Sequence, residues 1–254
     1  VAIGRNALKA STLNSGNIAI GAYAMDQTNS NSSTQCIAIG TYSMSGALAG
    51  YANTCVGDHT MFVAAGAFGN TCMGRSALVA LTTGSNNTAI GNYAGDALTT
   101  GSNNTSLGYQ ADSTAVGASN EFTLGNSSVS ALRCADTSIA ALSDRRDKKD
   151  IIDSSYGLEF INKIRPVQFT WDRRNLVEGD LESVHNGKTR IGFISQELQE
   201  AMEDDSNEIL DLVYEENPER LEAKQGKLIP VLTKAIQELS AKVEELENKL
   251  NNKE

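Results

Sequence analysis

Gly84-Ser85-Asn86-Asn87-Thr88-Ala89-Ile90-Gly91 decides how the first half of this 254-residue chain is read. One repeat later the chain reads Gly101-Ser102-Asn103-Asn104-Thr105-Ser106-Leu107-Gly108. The shared pattern is a polar turn, then a small residue, an aliphatic residue and a glycine. It recurs as Ala-Ile-Gly at 2–4, 19–21 and 38–40, Cys-Val-Gly at 55–57, Cys-Met-Gly at 72–74, Ala-Val-Gly at 115–117 and Thr-Leu-Gly at 123–125. The motif glycines fall at 4, 21, 40, 57, 74, 91, 108, 117 and 125, and the commonest step is 17. Asn-Thr precedes the motif at 53–54, 70–71, 87–88 and 104–105. A fixed period of this length marks an array of stacked supersecondary units.

Each unit predicts a short strand in which small and aliphatic residues alternate, closed by a glycine turn. Asn, Ser, Thr and Gly supply the loops. With about one large aliphatic residue per coil, the shared core is thin, and a lone chain has little to bury. Several chains packed around an axis would solve this. The repeats resemble the head of trimeric autotransporter adhesins over about residues 1–118. That resemblance implies a left-handed β-roll in which three chains close around an axis. The same repeats occur in phage fibres. A monomeric β-solenoid is the competing reading.

The net charge of −10 argues against nucleic acid as the main partner. The charge is uneven. Residues 1–142 hold 6 acidic and 4 basic residues, and 143–254 hold 25 and 17, which marks a boundary between them. No apolar run is long enough for a signal peptide or a membrane span, so no membrane insertion is expected. The chain starts at Val1 and is read as part of a longer one. Cys36, Cys55, Cys72 and Cys134 form no C-x-x-C pair, and His59 and His185 lie far apart. No metal or cofactor is expected. Cys55 and Cys72, one repeat apart, read as small buried residues in place of Ala rather than a disulfide. His59 interrupts a repeat and reads as a surface residue. Asp26, Asp58, Asp96 and Asp112 read as isolated turn residues, which argues against a glycoside-cleaving carboxylate pair.

Residues 119–142 break the period and read as a neck. Phe122-Thr-Leu-Gly125 looks like a last strand. Ser143 then opens a charged run, Ser143-Asp144-Arg145-Arg146-Asp147-Lys148-Lys149-Asp150-Ile151. Taken alone, Ser143 or Asp144 reads as an N-cap, with Asp144, Asp147 and Asp150 favouring a helix start. The run also resembles the start of the intramolecular chaperone auto-processing domain of phage endosialidases, tail spikes and tail fibres. That family begins with Ser-Asp, has a lysine five residues after the serine, and follows it with a polar-Ile pair. Leu158-Glu-Phe-Ile-Asn-Lys-Ile-Arg-Pro-Val-Gln-Phe-Thr-Trp171 resembles its helix followed by a Pro-Val-x-Phe-x-Trp strand. Arg190-Ile-Gly-Phe-Ile-Ser-Gln-Glu-Leu198 resembles its strand-to-helix element. Asp147 departs from the family, which usually has an apolar residue there. Phe169 and Trp171 read as core of this domain, and His185 as part of a hairpin loop turning at Asn186-Gly187.

The resemblance implies a small α+β domain over 143–254 that cuts its own chain. Ser143 would attack the carbonyl of Leu142, and Lys148 would take its proton as general base, with water completing cleavage. Arg145 and Arg146 read as solvated. At the end of the chain, Leu232, Ile236, Leu239, Val243, Leu246 and Leu250 are spaced 4, 3, 4, 3, 4, a coiled-coil seam over 226–252. Ile or Val alternating with Leu by itself leans toward two strands. The resemblance of both halves to trimeric families implies three. Pro230 falls near the helix start, where it is tolerated. Glu215–Gln225 is acidic and mostly helical in composition, apart from Pro218.

The expected molecule is a homotrimer: a β-roll, a neck and a removable chaperone ending in a coiled coil. Its expected role is the distal part of a phage tail fibre, assembled in the host cytoplasm and carried on the virion. The expected partner is a host-cell surface receptor or glycan. The alternative is a bacterial surface adhesin built from the same modules, with the C-terminal domain as a trimerisation cap. A glycan-degrading tail spike is the third class considered.

Overall fold

The computed structural model describes residues 1–10, 15–27, 34–46, 50–135, 139–170, 189–202 and 208–252. By its contacts the chain divides into two compact units, Val1–Ser130 and Ala131–Glu254.

The first unit is a β-solenoid. Its strands are β1 (Ala2–Ile3), β2 (Ile18–Ile20), β3 (Ile37–Ile39), β4 (Thr54–Val56), β5 (Thr71–Met73), β6 (Thr88–Ile90), β7 (Thr105–Leu107) and β8 (Phe122–Leu124). They pair parallel, each with the next, in one sheet of sequential order. The register is exact with the repeat, so Ala38 lies beside Cys55, Cys55 beside Cys72, and Cys72 beside Ala89. The middle residue of each strand points inward and is small, and Ala19, Ala38, Cys55, Cys72 and Ala89 are fully buried. The third residue, the motif aliphatic, faces outward, and Met73, Ile90 and Leu124 are 48%, 41% and 48% exposed. Period-2 geometry dictates this split.

The motif glycine is required by packing as well as by conformation. Gly57 has φ +140°, and a Cβ there would sit 2.5 Å from Gly74 O in the next coil. Two positions on, residues 6, 23, 42, 59, 76, 93 and 110 are all left-handed without being glycine, with φ of 48–59°. Four positions on, Leu8, Met25, Met44, Met61 and Leu78 are left-handed too. Such backbone costs roughly 1–2 kcal/mol per residue. Two gains offset it. Met25, Met44, Met61 and Leu78 fill the core. Their amides donate to carbonyls of the next coil, for example Met44 N to Thr60 O at 2.9 Å and Met61 N to Ala77 O at 3.0 Å.

A buried asparagine ladder runs beside this core, which explains the recurring Asn-Thr. Asn70 N and Nδ2 both donate to Asn53 Oδ1, at 2.9 and 3.1 Å, and Asn70 Nδ2 also donates to Gly84 O at 3.0 Å. Asn87 and Asn104 repeat the pattern one and two coils on. Cys36 takes the ladder position one coil before Asn53. It still donates its amide to Asn17 Oδ1, at 2.9 Å. Outside, Tyr23, Tyr42 and His59 stack at the coil spacing, with ring centroids 4.9 Å apart in each step. His59 is therefore a partly exposed rung of this ladder, at the surface as expected, with its Nδ1 3.0 Å from Asp58 Oδ2.

The second unit is small and α+β. Its helices are α1 (Leu158–Ile161), α2 (Ser195–Ala201) and α3 (Leu228–Asn251). Strands β9 (Val167–Thr170) and β10 (Thr189–Gly192) pair antiparallel, as do β11 (Val213–Tyr214) and β12 (Glu222–Ala223). The core gathers Phe160, Leu198, Met202, Leu210, Leu212, Val213, Leu228 and Val231. Phe169 is only half-buried, on β9, with its ring over Gly192. Trp171 and the 184–188 segment with His185 lie outside the described residues.

The helical reading of Glu215–Gln225 does not hold, because a hairpin forms there. Asn217 caps the turn at Pro218: its side chain accepts from Glu219 N at 3.0 Å, and its carbonyl from Arg220 N at 2.9 Å. The segment then returns as β12 beside β11, with Val213 opposite Ala223. The turn chemistry and this pairing outweigh the helix propensity of its glutamates.

In α3, Leu228, Val231 and Ala235 are buried in this unit. The seam Leu232, Ile236, Leu239, Val243, Leu246 and Leu250 is exposed along its length. Among the described residues, no helix is long and apolar enough to cross a membrane.

Candidate functional site

The charged run after Leu142 forms no long helix. It makes one 3₁₀ turn, Arg145–Asp147. Asp144 caps that turn, its carboxylate accepting from Arg146 N at 2.9 Å. Lys148, just past the turn, is extended, with φ −119° and ψ 141°. One tight turn followed by an extended residue folds the lysine back toward the serine that precedes the turn. Lys148 Nζ donates to Ser143 Oγ at 2.6 Å. The two predicted catalytic side chains thus meet within a single six-residue loop, with no contribution from a distant element.

Arg146 is solvated, as the sequence reading has it, and its guanidinium also clasps Asp144, with Nη2 at 2.6 Å from Oδ2. The Arg146 side chain, and then its backbone N–H, hold the Asp144 carboxyl below its usual range. Every residue from Ile139 to Ile152 is exposed, Ser143 and Lys148 among them. Leu142, on the acyl side of the expected cleavage point, is fully exposed, and Ile139 is 96% exposed. Ile151 and Ile152 are exposed as well. A hydroxyl and an amine in contact form a nucleophile–base pair in outline. In one chain this pair is wet, and its apolar flank is uncovered.

Two other clusters compare with it. An open groove is lined by Glu208, Asp211, Val213, Tyr214, Glu215, Glu216 and Lys224. The Lys224–Asp211 ion pair closes part of it and holds Asp211 below its usual range. The only hydroxyl among its lining residues is the phenol of Tyr214, and no serine, threonine or cysteine lines it. In the β-solenoid, Asp96 and Asp112 are not isolated, contrary to the sequence reading. Their coils stack and their carboxyls share a hydrogen bond, and Asp112 Oδ1 also accepts from Ala97 N at 3.4 Å. Burial, and then the charge of Asp96, push Asp112 up to about 7. This is a proton-sharing pair in contact, without the gap of about 5 Å or more that glycosidases hold between their carboxyls. Asp26 instead accepts from Ser45, and Asp58 pairs with His59. No group of three or more metal-ligating side chains stands among the described residues.

Missed in the sequence were the Met and Leu core rungs and the Asp96–Asp112 contact. A 17-residue alignment of the coils brings the core rungs into one column and sets Asp96 one position from Asp112, which follows it by 16 residues.

Residues 143–206 match the model of the Peptidase S74 family, described as chaperone of endosialidase. The match covers about a quarter of the chain, starts at Ser143 and contains Lys148. Searches of curated proteins and of solved structures gave no match. The matched family is a self-cleaving peptidase domain, and similarity to it accords with the β-solenoid followed by a small α+β unit.

Proposed function

We propose that this chain is the distal part of a homotrimeric phage tail fibre. Its C-terminal chaperone drives trimer folding and is then released by autoproteolysis between Leu142 and Ser143. The observation that carries the reading is the 2.6 Å contact of Lys148 Nζ with Ser143 Oγ. It stands at the first residues of the region matching the chaperone family.

The chemistry is an acyl transfer within one chain. The Ser143 hydroxyl oxygen bonds to the Leu142 carbonyl carbon while Lys148 takes the hydroxyl proton. The Leu142–Ser143 C–N bond breaks and the Ser143 nitrogen takes up a proton. The chain is then joined through an ester. Water hydrolyses that ester, leaving a carboxylate on Leu142 and a free amine on Ser143. The reaction turns over once, so positioning supplies most of the acceleration. An ammonium loses its proton more readily once water is excluded from it. The apolar flank Ile139, Leu142, Ile151 and Ile152 is where neighbouring copies would pack and dry the pair.

Two unpartnered apolar faces support three-chain assembly. One is the outward aliphatic ladder of the β-roll, and the other is the seam of α3. A thin single-chain core and an uncovered coiled-coil seam have the same remedy, namely further copies. Loss of the chaperone after folding would make unfolding slow, because the route back is gone. The mature roll would then meet a host receptor or glycan on the virion.

The test measures native and denatured mass on the same samples of wild type, Ser143→Ala and Lys148→Met. The reading expects trimers throughout, cleaved in the wild type and whole in both variants. Cleavage persisting in Lys148→Met would remove the lysine from the mechanism. A monomeric Ser143→Ala protein would remove the trimer.

A further inference from the structure

Cys55 and Cys72 occupy the inward position of β4 and β5 and are direct register partners. Both are fully buried. The Cys72 thiol donates toward Cys55 Sγ at 2.8 Å, and Cys55 Sγ lies 3.7 Å from Met61 Sδ. Neighbouring strands run about 4.8 Å apart. That falls within the roughly 4.4–6.8 Å between Cα atoms that a disulfide spans. Two sulfurs at 2.8 Å are already inside ordinary van der Waals contact, which is about 3.5–4.0 Å even for smaller carbon atoms. Among the described strands the middle residue is otherwise Ala, Ser or Thr, and these two neighbours carry sulfur there in register. Cys36 sits elsewhere in its coil, with its thiol directed at the Thr34 and Gly50 carbonyls.

We infer that Cys55 and Cys72 form a disulfide that staples two adjacent coils of the β-roll. The oxidant is a low-molecular-weight or protein disulfide. One thiolate of the pair attacks it, forming a mixed disulfide and releasing one reduced thiol. The second thiolate attacks the protein-side sulfur and releases the other. Two protein S–H bonds are lost and one S–S bond is gained, while the oxidant's S–S bond becomes two S–H bonds. Burial, and then the adjacent Cys72 thiol, push the Cys55 thiol well above its ordinary value, so a closed coil reacts slowly. The bond therefore forms while coils are still docking, or during local opening. Once formed, it is shielded from reductants.

The test expresses the chain in bacteria with an ordinary and with an oxidising cytoplasm. Folded protein is denatured in an alkylating reagent, digested and mapped by mass. The expected result is a linked Cys55–Cys72 peptide pair from the oxidising cells, lighter by two hydrogen atoms than the separate reduced peptides, with Cys36 and Cys134 alkylated. Native oxidised protein should keep the link in mild reductant and lose it on denaturation. The double variant Cys55→Ala, Cys72→Ala places at both sites the residue found in register at 38 and 89. It should fold and unfold at the same rate from either cell type, while the wild type unfolds several-fold more slowly from oxidising cells. Alkylation of both Cys55 and Cys72 in folded protein from oxidising cells, or pairing scattered over all four cysteines, would overturn the inference.

Discussion

The β-solenoid and the C-terminal unit hide their apolar residues in opposite ways. In the solenoid, one solution is repeated. A small side chain points in, a Met or Leu fills the gap, an Asn rung satisfies the buried amides, and a glycine lets the next coil approach. In the C-terminal unit each contact is made once, between residues far apart in sequence, as in the core that gathers Phe160 with Leu228 and Val231. Both leave a long aliphatic row in water, the strand ladder in one and the α3 seam in the other. The difference teaches where a defect travels. A fault in the solenoid falls on a rung that both neighbours depend on, so it propagates along the stack. A fault in the C-terminal unit stays with the contact removed.

The sharpest way to break the comparison is at a motif glycine. Gly57→Ala would drive a Cβ to 2.5 Å from Gly74 O and force a side chain into φ +140°. Overpacking and backbone strain together should cost about 3 kcal/mol or more. Gly66, at φ +96° with nothing within 4 Å of its added Cβ, should incur the strain alone. Thermal unfolding of the two variants should separate clearly, and equal shifts would count against coil packing as the reason for the repeat. Next in size is Asn70→Ala, which takes the acceptor from Asn87 N and the donor from Gly84 O. Unsatisfied buried groups make this a loss of about 1–3 kcal/mol. Hydrogen exchange should rise at Asn87 and in both flanking coils.

The counterpart in the C-terminal unit is Glu238 on α3, whose Oε2 accepts from Leu158 N at the start of α1, at 2.8 Å. Glu238→Ala should cost about 1 kcal/mol, as a lost cap does. Exchange should rise only around α1, and a change spread over the unit would contradict the contrast. The smallest effect is one of pH. Asp112 titrates at about 7 in the fold against 3.8 as a free side chain. The folded state thus binds more protons between these values, and stability falls as the pH rises from about 4 through about 7. Asp112→Asn should flatten that stretch of the stability–pH curve, and an unchanged slope would show that the pair does not share a proton.

Much of this was legible beforehand because repetition amplifies weak signals. Eight of the nine Gly-terminated motifs located strands, β8 at Phe122–Leu124 among them, whereas Ala115–Gly117 forms a turn and no strand. The Ser143–Lys148 contact was legible because it is local, set by one turn between residues five apart. Other features depended on geometry that residue type alone does not carry. Met44 and Met61 adopt left-handed backbone, which their side chains disfavour, so no period-2 or period-3.6 pattern marks them as core. Asp96 and Asp112 meet only because coils stack. Glu222 and Ala223 join a strand because a partner lies opposite them, against their own helical preference.

The most direct measurement is the identity of the new chain ends in freshly assembled wild-type protein. Denaturing mass and N-terminal sequencing would be read together. The account predicts two polypeptides, one ending at Leu142 and one beginning Ser-Asp-Arg-Arg. A single 254-residue chain in an assembled trimer, or a cut anywhere else, would contradict it.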